Sequence, residues 1–192
     1  MYRQTINEIR QTNYTVDTVH TAAQKIHAIK SVGVPVKIIE ICRNMGFSVF
    51  QQDLPKNICG YIAIDGELKD RFGTDRIISV NLNESNKRRR FTVAHELGHF
   101  LFDFDPNKIQ FYNAFEHDHE ENEPPSESLA NRFAAELLMP AEKFQKEYNK
   151  IYKNHSGSSE QLYETIQELS DLFLVPPKAV ELRIKKELKL HE

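Results

Sequence analysis

Cysteine is scarce in this chain. Cys42 and Cys59 are the only two in 192 residues, and they do not form a CxxC pair, so a disulfide scaffold is excluded and both read as reduced core residues. Long apolar runs are also missing. No stretch approaches the roughly 18 to 20 residues that a membrane-spanning helix requires, and the opening MYRQTINEIR lacks the apolar centre of a signal peptide. The expectation is a cytoplasmic protein without membrane contact. Seven glycines and eight prolines exclude a collagen-like or linker-dominated chain. Charge of one sign is not in excess either. A net charge of -3 and a pI near 6.3 supply no general attraction to nucleic acid, so direct nucleic-acid binding is not expected outside a local basic patch. What is present, 40% hydrophobic and 28% charged residues, is the balance of a globular chain long enough to bury a real core.

Residues 1–15 are polar and weakly periodic, and 1–16 is set apart as an N-terminal tail. From Asp17 the spacing of Val19, Ala22, Ala23, Ile26 and Ile29 predicts an amphipathic helix closed by Gly33, and 36–45 predicts a second closed by Gly46. The period then changes to two, predicting strands at 47–51, 60–64 and 76–82 with a turn at Asp65-Gly66. A long helix is expected over 86–102 and a strand or loop over 109–115. The acidic connection EHDHEENEPP ends in two prolines that stop any helix running through it. Further helices are expected at 126–139, 140–149, 158–173 and 177–188. The fold class is therefore α+β, with a small mixed or antiparallel sheet packed on helices. The main domain is placed at 17–150, and 151–192 is a helical extension packed on the same core.

The chemistry stands in RRRFTVAHELGHFLF, where His95, Glu96 and His99 form an H-E-x-x-H pattern. Residues four apart on a helix share one face, about 6 Å apart along the axis, so two imidazoles reach one ion. Glu96, about 100° around the helix from His95, flanks that ion and is placed to take a proton from its water. A shuffled chain of this composition contains the pattern roughly 3% of the time, so the surroundings matter. Phe91, Gly98 and Phe102 stand at helical spacings from the two histidines, which puts the imidazoles on the stripe facing the core. Gly98 costs about 1 kcal/mol relative to Ala inside a helix and marks a close approach by another element.

An open zinc site takes a third protein ligand, and three candidates compete. An extended form of the motif would use Asp105, but Phe102 stands where a glycine would be needed for the chain to turn. His117 and His119 alternate in the polar loop. In ESLANRFAAELLMP, Glu127 shares a stripe with Asn131, Ala134 and Leu138, and so points inward, where a cation would offset the desolvation of its carboxylate. Glu127 is the favoured ligand. Glu136 lies about 180° away, beside Arg132 at i,i+4, and reads as a solvated charge pair. Asn131, one turn beyond Glu127, is expected to orient a ligand through the free nitrogen of His95.

The order RIISVN, RRRFTVAHELGHFLF, ESLANRFAAELLMP resembles the ImmA/IrrE-type metallopeptidases, bacterial and phage proteins with a zincin-like core, over roughly residues 17–149. The resemblance implies a zinc peptidase with His95, His99 and Glu127 as ligands and Glu96 as general base; the sequence itself leaves Mn2+ open as the alternative metal. It also implies a helix-turn-helix repressor of a mobile element or stress pathway as partner and substrate. In zincins the substrate pairs along an edge strand, for which 76–82 is the candidate, with Ile77, Ser79 and Asn81 on one face and Ile78, Val80 and Leu82 on the other. Tyr61, Tyr112, His117 and His119 are open candidates for oxyanion stabilisation. The acidic segment 116–123 is expected to cover the cleft and favour a basic partner.

Two basic features stand apart. Lys87, Arg88, Arg89 and Arg90 oppose the dipole of the helix they begin, so compensation by acidic groups is expected. The C-terminal stretch is faintly like a helix-turn-helix, with Arg183, Lys185 and Lys186 on its last helix. Two function classes follow: an endopeptidase, or a non-catalytic DNA- or protein-binding regulator with a structural metal site. Glu96 favours the first, because a structural site has no use for a base beside its ligand.

Overall fold

The computed structural model describes residues 2–10, 16–29, 33–104, 110–115, 125–156 and 158–187. In chain order the elements are α1 (Tyr2–Arg10), α2 (Val16–Ile29), α3 (Ile38–Asn44), β1 (Ser48–Gln52), β2 (Ile58–Ile64), α4 (Leu68–Phe72), β3 (Arg76–Asn81), α5 (Asn86–Phe102), β4 (Gln110–Phe115), α6 (Pro125–Leu138), α7 (Ala141–Asn154), α8 (Gln161–Phe173) and α9 (Pro177–Glu187). This is the α+β class expected. Among the described residues no helix is long and apolar enough to cross a membrane.

The sheet runs in the order β1-β3-β2-β4. β1 lies parallel to β3, and β2 lies antiparallel to both β3 and β4. Ser79 of β3 thus stands opposite Phe50 on one side and Tyr61 on the other. This corrects the reading of 76–82 as the substrate edge. β3 is an interior strand, so the backbones of Ile77, Ser79 and Asn81 are already paired within the sheet. The apparent polar face misled because its polar groups are buried. Asn81 donates through Nδ2 to the carbonyls of Leu54, Pro55 and Ile58 at 3.2, 3.3 and 3.0 Å, which ties the β1–β2 connection to β3. A side chain satisfied in this way stays inside without a desolvation penalty.

α5 lies against β2 and β3 on one side and α6 on the other. Its seat on the sheet is Gly60: a Cβ there would lie 2.6 Å from Cγ2 of Thr92 and 2.7 Å from the carbonyl of Ser79. Only a glycine lets the helix come so close. From Thr92 to Phe102 every residue of α5 is buried, which is why its periodicity marks position more than amphipathicity.

Two helices escaped the sequence reading. Within the segment set apart as a tail, α1 sends Ile6 and Ile9 into the core against α2 and α5. In the sequence Tyr2, Ile6 and Ile9 stand at i, i+4 and i+7, a helical spacing that the polar residues between them obscure. α4 has five residues, none buried, and follows the turn expected at Asp65-Gly66, in a stretch where no element was expected.

The basic run at the start of α5 is compensated mainly by carbonyls. Lys87 does meet a carboxylate, Asp171 at 2.7 Å, and the hydroxyl of Ser170 at 2.8 Å. Arg89 donates to the carbonyls of Leu82 and Glu84, and Arg90 to those of Val36 and Leu174. These arginines lash the connections around α5 to its first turn. Arg183 is also withdrawn from any DNA role. It is 3% exposed and bonds Glu136 at 2.7 Å, packing α9 onto α6.

Candidate metal centre

Two helices build the site. Ser85 caps α5, its hydroxyl accepting from the backbone N–H of Arg88 at 3.2 Å, as short hydroxyl residues do at helix starts. Pro125 opens α6, where a missing N–H costs nothing, and Glu127 stands in the first turn, where the helix dipole favours an anion. The helices meet at Gly98. A Cβ there would lie 3.0 Å from Cα of Ala130 and 3.3 Å from both Cβ of Ala130 and Cδ1 of Phe133. That close approach brings Glu127 of α6 to the histidines of α5. Gly98→Val should force the helices apart at a cost of about 1–3 kcal/mol and weaken metal binding with it. Thermal melting and zinc titration of the variant would check this, and unchanged affinity would separate the glycine from the site.

His95 Nε2 and His99 Nε2 stand 2.9 Å apart. The Glu127 carboxylate approaches with one oxygen 3.1 Å from the first and the other 3.3 Å from the second. All three residues are buried, and the cluster can hold a metal ion. The outer nitrogens decide the chemistry. His99 Nδ1 lies 2.6 Å from Asp103 Oδ2, an acceptor only, so it carries a proton and donates it. His95 Nδ1 donates in the same way to Asn131 Oδ1 at 2.8 Å. In neutral rings the two Nε2 atoms are then bare lone pairs, facing each other and a carboxylate. Three acceptors converging without a donor repel one another unless a cation lies among them, and two nitrogens with one carboxylate are a donor set zinc accepts.

Without metal, a proton serves instead. Burial works against a charged His99, but its hydrogen bonds to Asp103 and Glu127 and the negative charges of Glu96 and Glu127 outweigh it, raising its pKa to about 9. Burial likewise opposes ionisation of Glu127, yet its bonds to His95 and His99 hold it well below the usual carboxylate range. Near pH 7, then, His99 is protonated and Glu127 is not. A metal must displace the His99 proton, so affinity should rise with pH and level off above about 9, with about one proton released per ion near neutrality. Calorimetric titration with zinc in buffers of different ionisation enthalpy measures that count. A count of zero would contradict the assignment.

His95, His99, Glu127 and Asn131 are thus brought together, and Glu96 is fully buried on the same helix, close enough for its charge to act on His99. Asp105, His117, His119 and the segment 116–123 lie outside the described residues. Tyr61 turns its hydroxyl to Gln52 Oε1 at 2.9 Å, and Tyr112 stands in β4 opposite Ile62. Glu136 is not the solvated half of a pair with Arg132. It is 3% exposed and held by Arg183 at 2.7 Å and His20 at 3.2 Å. Asp103 was missed, although its place at i+4 from His99 carried the signal.

A peptidase family whose model is described as the IrrE N-terminal-like domain matches residues 43–185, which takes in α5, α6 and every residue of this cluster. The chain belongs to this family. The IrrE-type family is of the zinc-metallopeptidase kind, in keeping with the donor set. Its match also runs past residue 150 into α9. Among solved structures, a Mycobacterium tuberculosis transcriptional regulator superposes on 94% of this chain with a TM-score of 0.51 and 18% identity. This IrrE-type chain spans about half of that regulator, 51% of its length, and at such identity the likeness is one of fold alone. No curated protein matches significantly.

Proposed function

We propose that this IrrE-type chain is a metal-dependent endopeptidase that cuts a helix-turn-helix repressor at an exposed linker. The observation that carries the reading is the convergence of His95 Nε2, His99 Nε2 and the Glu127 carboxylate on one point beside the buried carboxylate of Glu96. His95, His99 and Glu127 would hold the ion, zinc by donor type with manganese as the alternative. When bound, such an ion supplies Lewis-acid polarisation of water and of a peptide carbonyl. Glu96 accepts the proton of the attacking water and delivers it to the leaving amine, so no covalent intermediate on the protein is needed. Asn131 keeps the His95 imidazole turned inward. The substrate backbone pairs along β4, the sheet edge on the α5 side, since β3 is interior.

The choice of partner rests on family kinship and on charge. The fold neighbour is a transcriptional regulator, and the acidic segment 116–123 favours a basic partner of the kind that binds DNA. The test is incubation of the zinc-loaded protein with a purified helix-turn-helix repressor and, separately, with casein. The reading expects a cut in the repressor between its domains and little loss of casein. Release of the repressor from its operator without any cut, equally by the parent and by Glu96→Gln, would point to a binding regulator instead.

A further inference from the structure

The two imidazoles are not held alike. His95 gives its outer proton to a neutral amide on the neighbouring helix, Asn131 at 2.8 Å, whereas His99 gives its own to a carboxylate one turn along the same helix, Asp103 at 2.6 Å. We infer that Asp103 is a positioning residue of the metal centre, fixing the tautomer and direction of the His99 ring and strengthening its hold on a divalent cation. This rests on the metal-site reading above.

The placement of Asp103 is costly on local grounds. It is the C-cap of α5, where carbonyl ends gather and the helix dipole disfavours an acid. A contact to His99 gives that acid a use. The turn is also locked by its backbone: the N–H groups of Asp103 and Phe104 both donate to the carbonyl of His99, at 2.8 and 3.2 Å. The carboxylate is therefore carried on the same rigid turn as the ring it holds. His99 is completely buried while Asp103 keeps 21% of its side chain exposed. The bond thus runs from the core to the rim, with the charged partner keeping some solvation. A carboxylate accepting from a metal-bound imidazole makes the ring a stronger donor to the metal and prevents it from flipping. In charge, Asp103 adds a carboxylate on the far side of His99 from Glu127, which the neutral Asn131 does not do for His95.

The experiment is competition for Zn2+ against a chromophoric chelator, on the full chain and on Asp103→Asn, Asp103→Ala and His99→Ala, with melting curves for each. Asp103→Ala should weaken zinc binding by about 10- to 100-fold. Asp103→Asn, which keeps an acceptor without the charge, should fall between that and the parent. In the zinc-loaded parent, the Nδ1 proton of His99 should appear as a slowly exchanging, far-downfield NMR signal that Asp103→Asn moves upfield and Asp103→Ala abolishes. A structural role would lower the melting temperature and leave affinity and the His99 signal alone, and that result overturns the inference. If Asp103→Ala does not fold, the nearly isosteric Asp103→Asn decides by the same two readouts. Parent affinity in both Asp103 variants while His99→Ala loses zinc removes Asp103 and keeps the metal site. A parent that takes up no zinc removes the underlying reading and this inference with it.

Discussion

Glu96→Gln is expected to keep its metal and lose cleavage by at least about 100-fold, the lower end of what a general base contributes. Glutamine has nearly the volume of glutamate, so the fully buried position on α5 is not emptied. What disappears is the only atom pair in the residue able to accept a proton at neutral pH. Glu96 is not among the three residues whose ligand atoms converge, so those ligands stay where they are. Loss of its negative charge beside His99 should alter metal affinity only modestly. The deficit should fall on kcat, because a base acts in the transition state and not in substrate binding. Metal content and cleavage rate measured on one preparation check both halves. Undiminished cleavage would remove Glu96 from the mechanism, and lost metal would make it a ligand.

His99→Ala should have the largest effect on the metal itself, weakening binding by well over 100-fold, since removal of an outer partner alone costs about 10–100-fold. The residue makes two contributions. Its Nε2 is one of the converging acceptors, and its ring links Glu127 on one side to Asp103 on the other. Without it two carboxylates face a gap, and Glu127, 8% exposed, is left with His95 for compensation. Stability of the metal-free protein should fall as well, because an under-compensated buried charge is expensive. Glu127→Ala should also release metal, but it leaves the two histidines of α5 in register, so the remaining affinity should exceed that of His99→Ala. Chelator competition ranks the two variants, and the reverse order would mean that α6 dominates the site.

Much of this centre was legible because it lies on helices whose period is strict. The limits expected for α5, 86–102, are those of the helix, and the four-residue spacing within it puts His95 and His99 on one face. Glu127 and Asn131 were legible for the same reason on α6, where Ala134 and Leu138 mark the buried stripe. What stayed hidden depended on distant partners. Glu136 reads as solvated beside Arg132, yet its partners are His20 and Arg183, far along the chain in both directions. The polar residues of β3 suggest an edge until Asn81 is seen holding three carbonyls of a loop. Asp103 was obscured because its meaning depends on where α5 ends, and a helix end is harder to read than a helix face.

The most direct test of the central claim is an anomalous difference map from a crystal of this protein soaked in zinc. The account predicts a single strong peak at about 2.0–2.2 Å from His95 Nε2, His99 Nε2 and a carboxylate oxygen of Glu127, with Glu96 near the open position. Zinc absent from that point, or coordinated by His95 and His99 with Glu127 turned away, would contradict it.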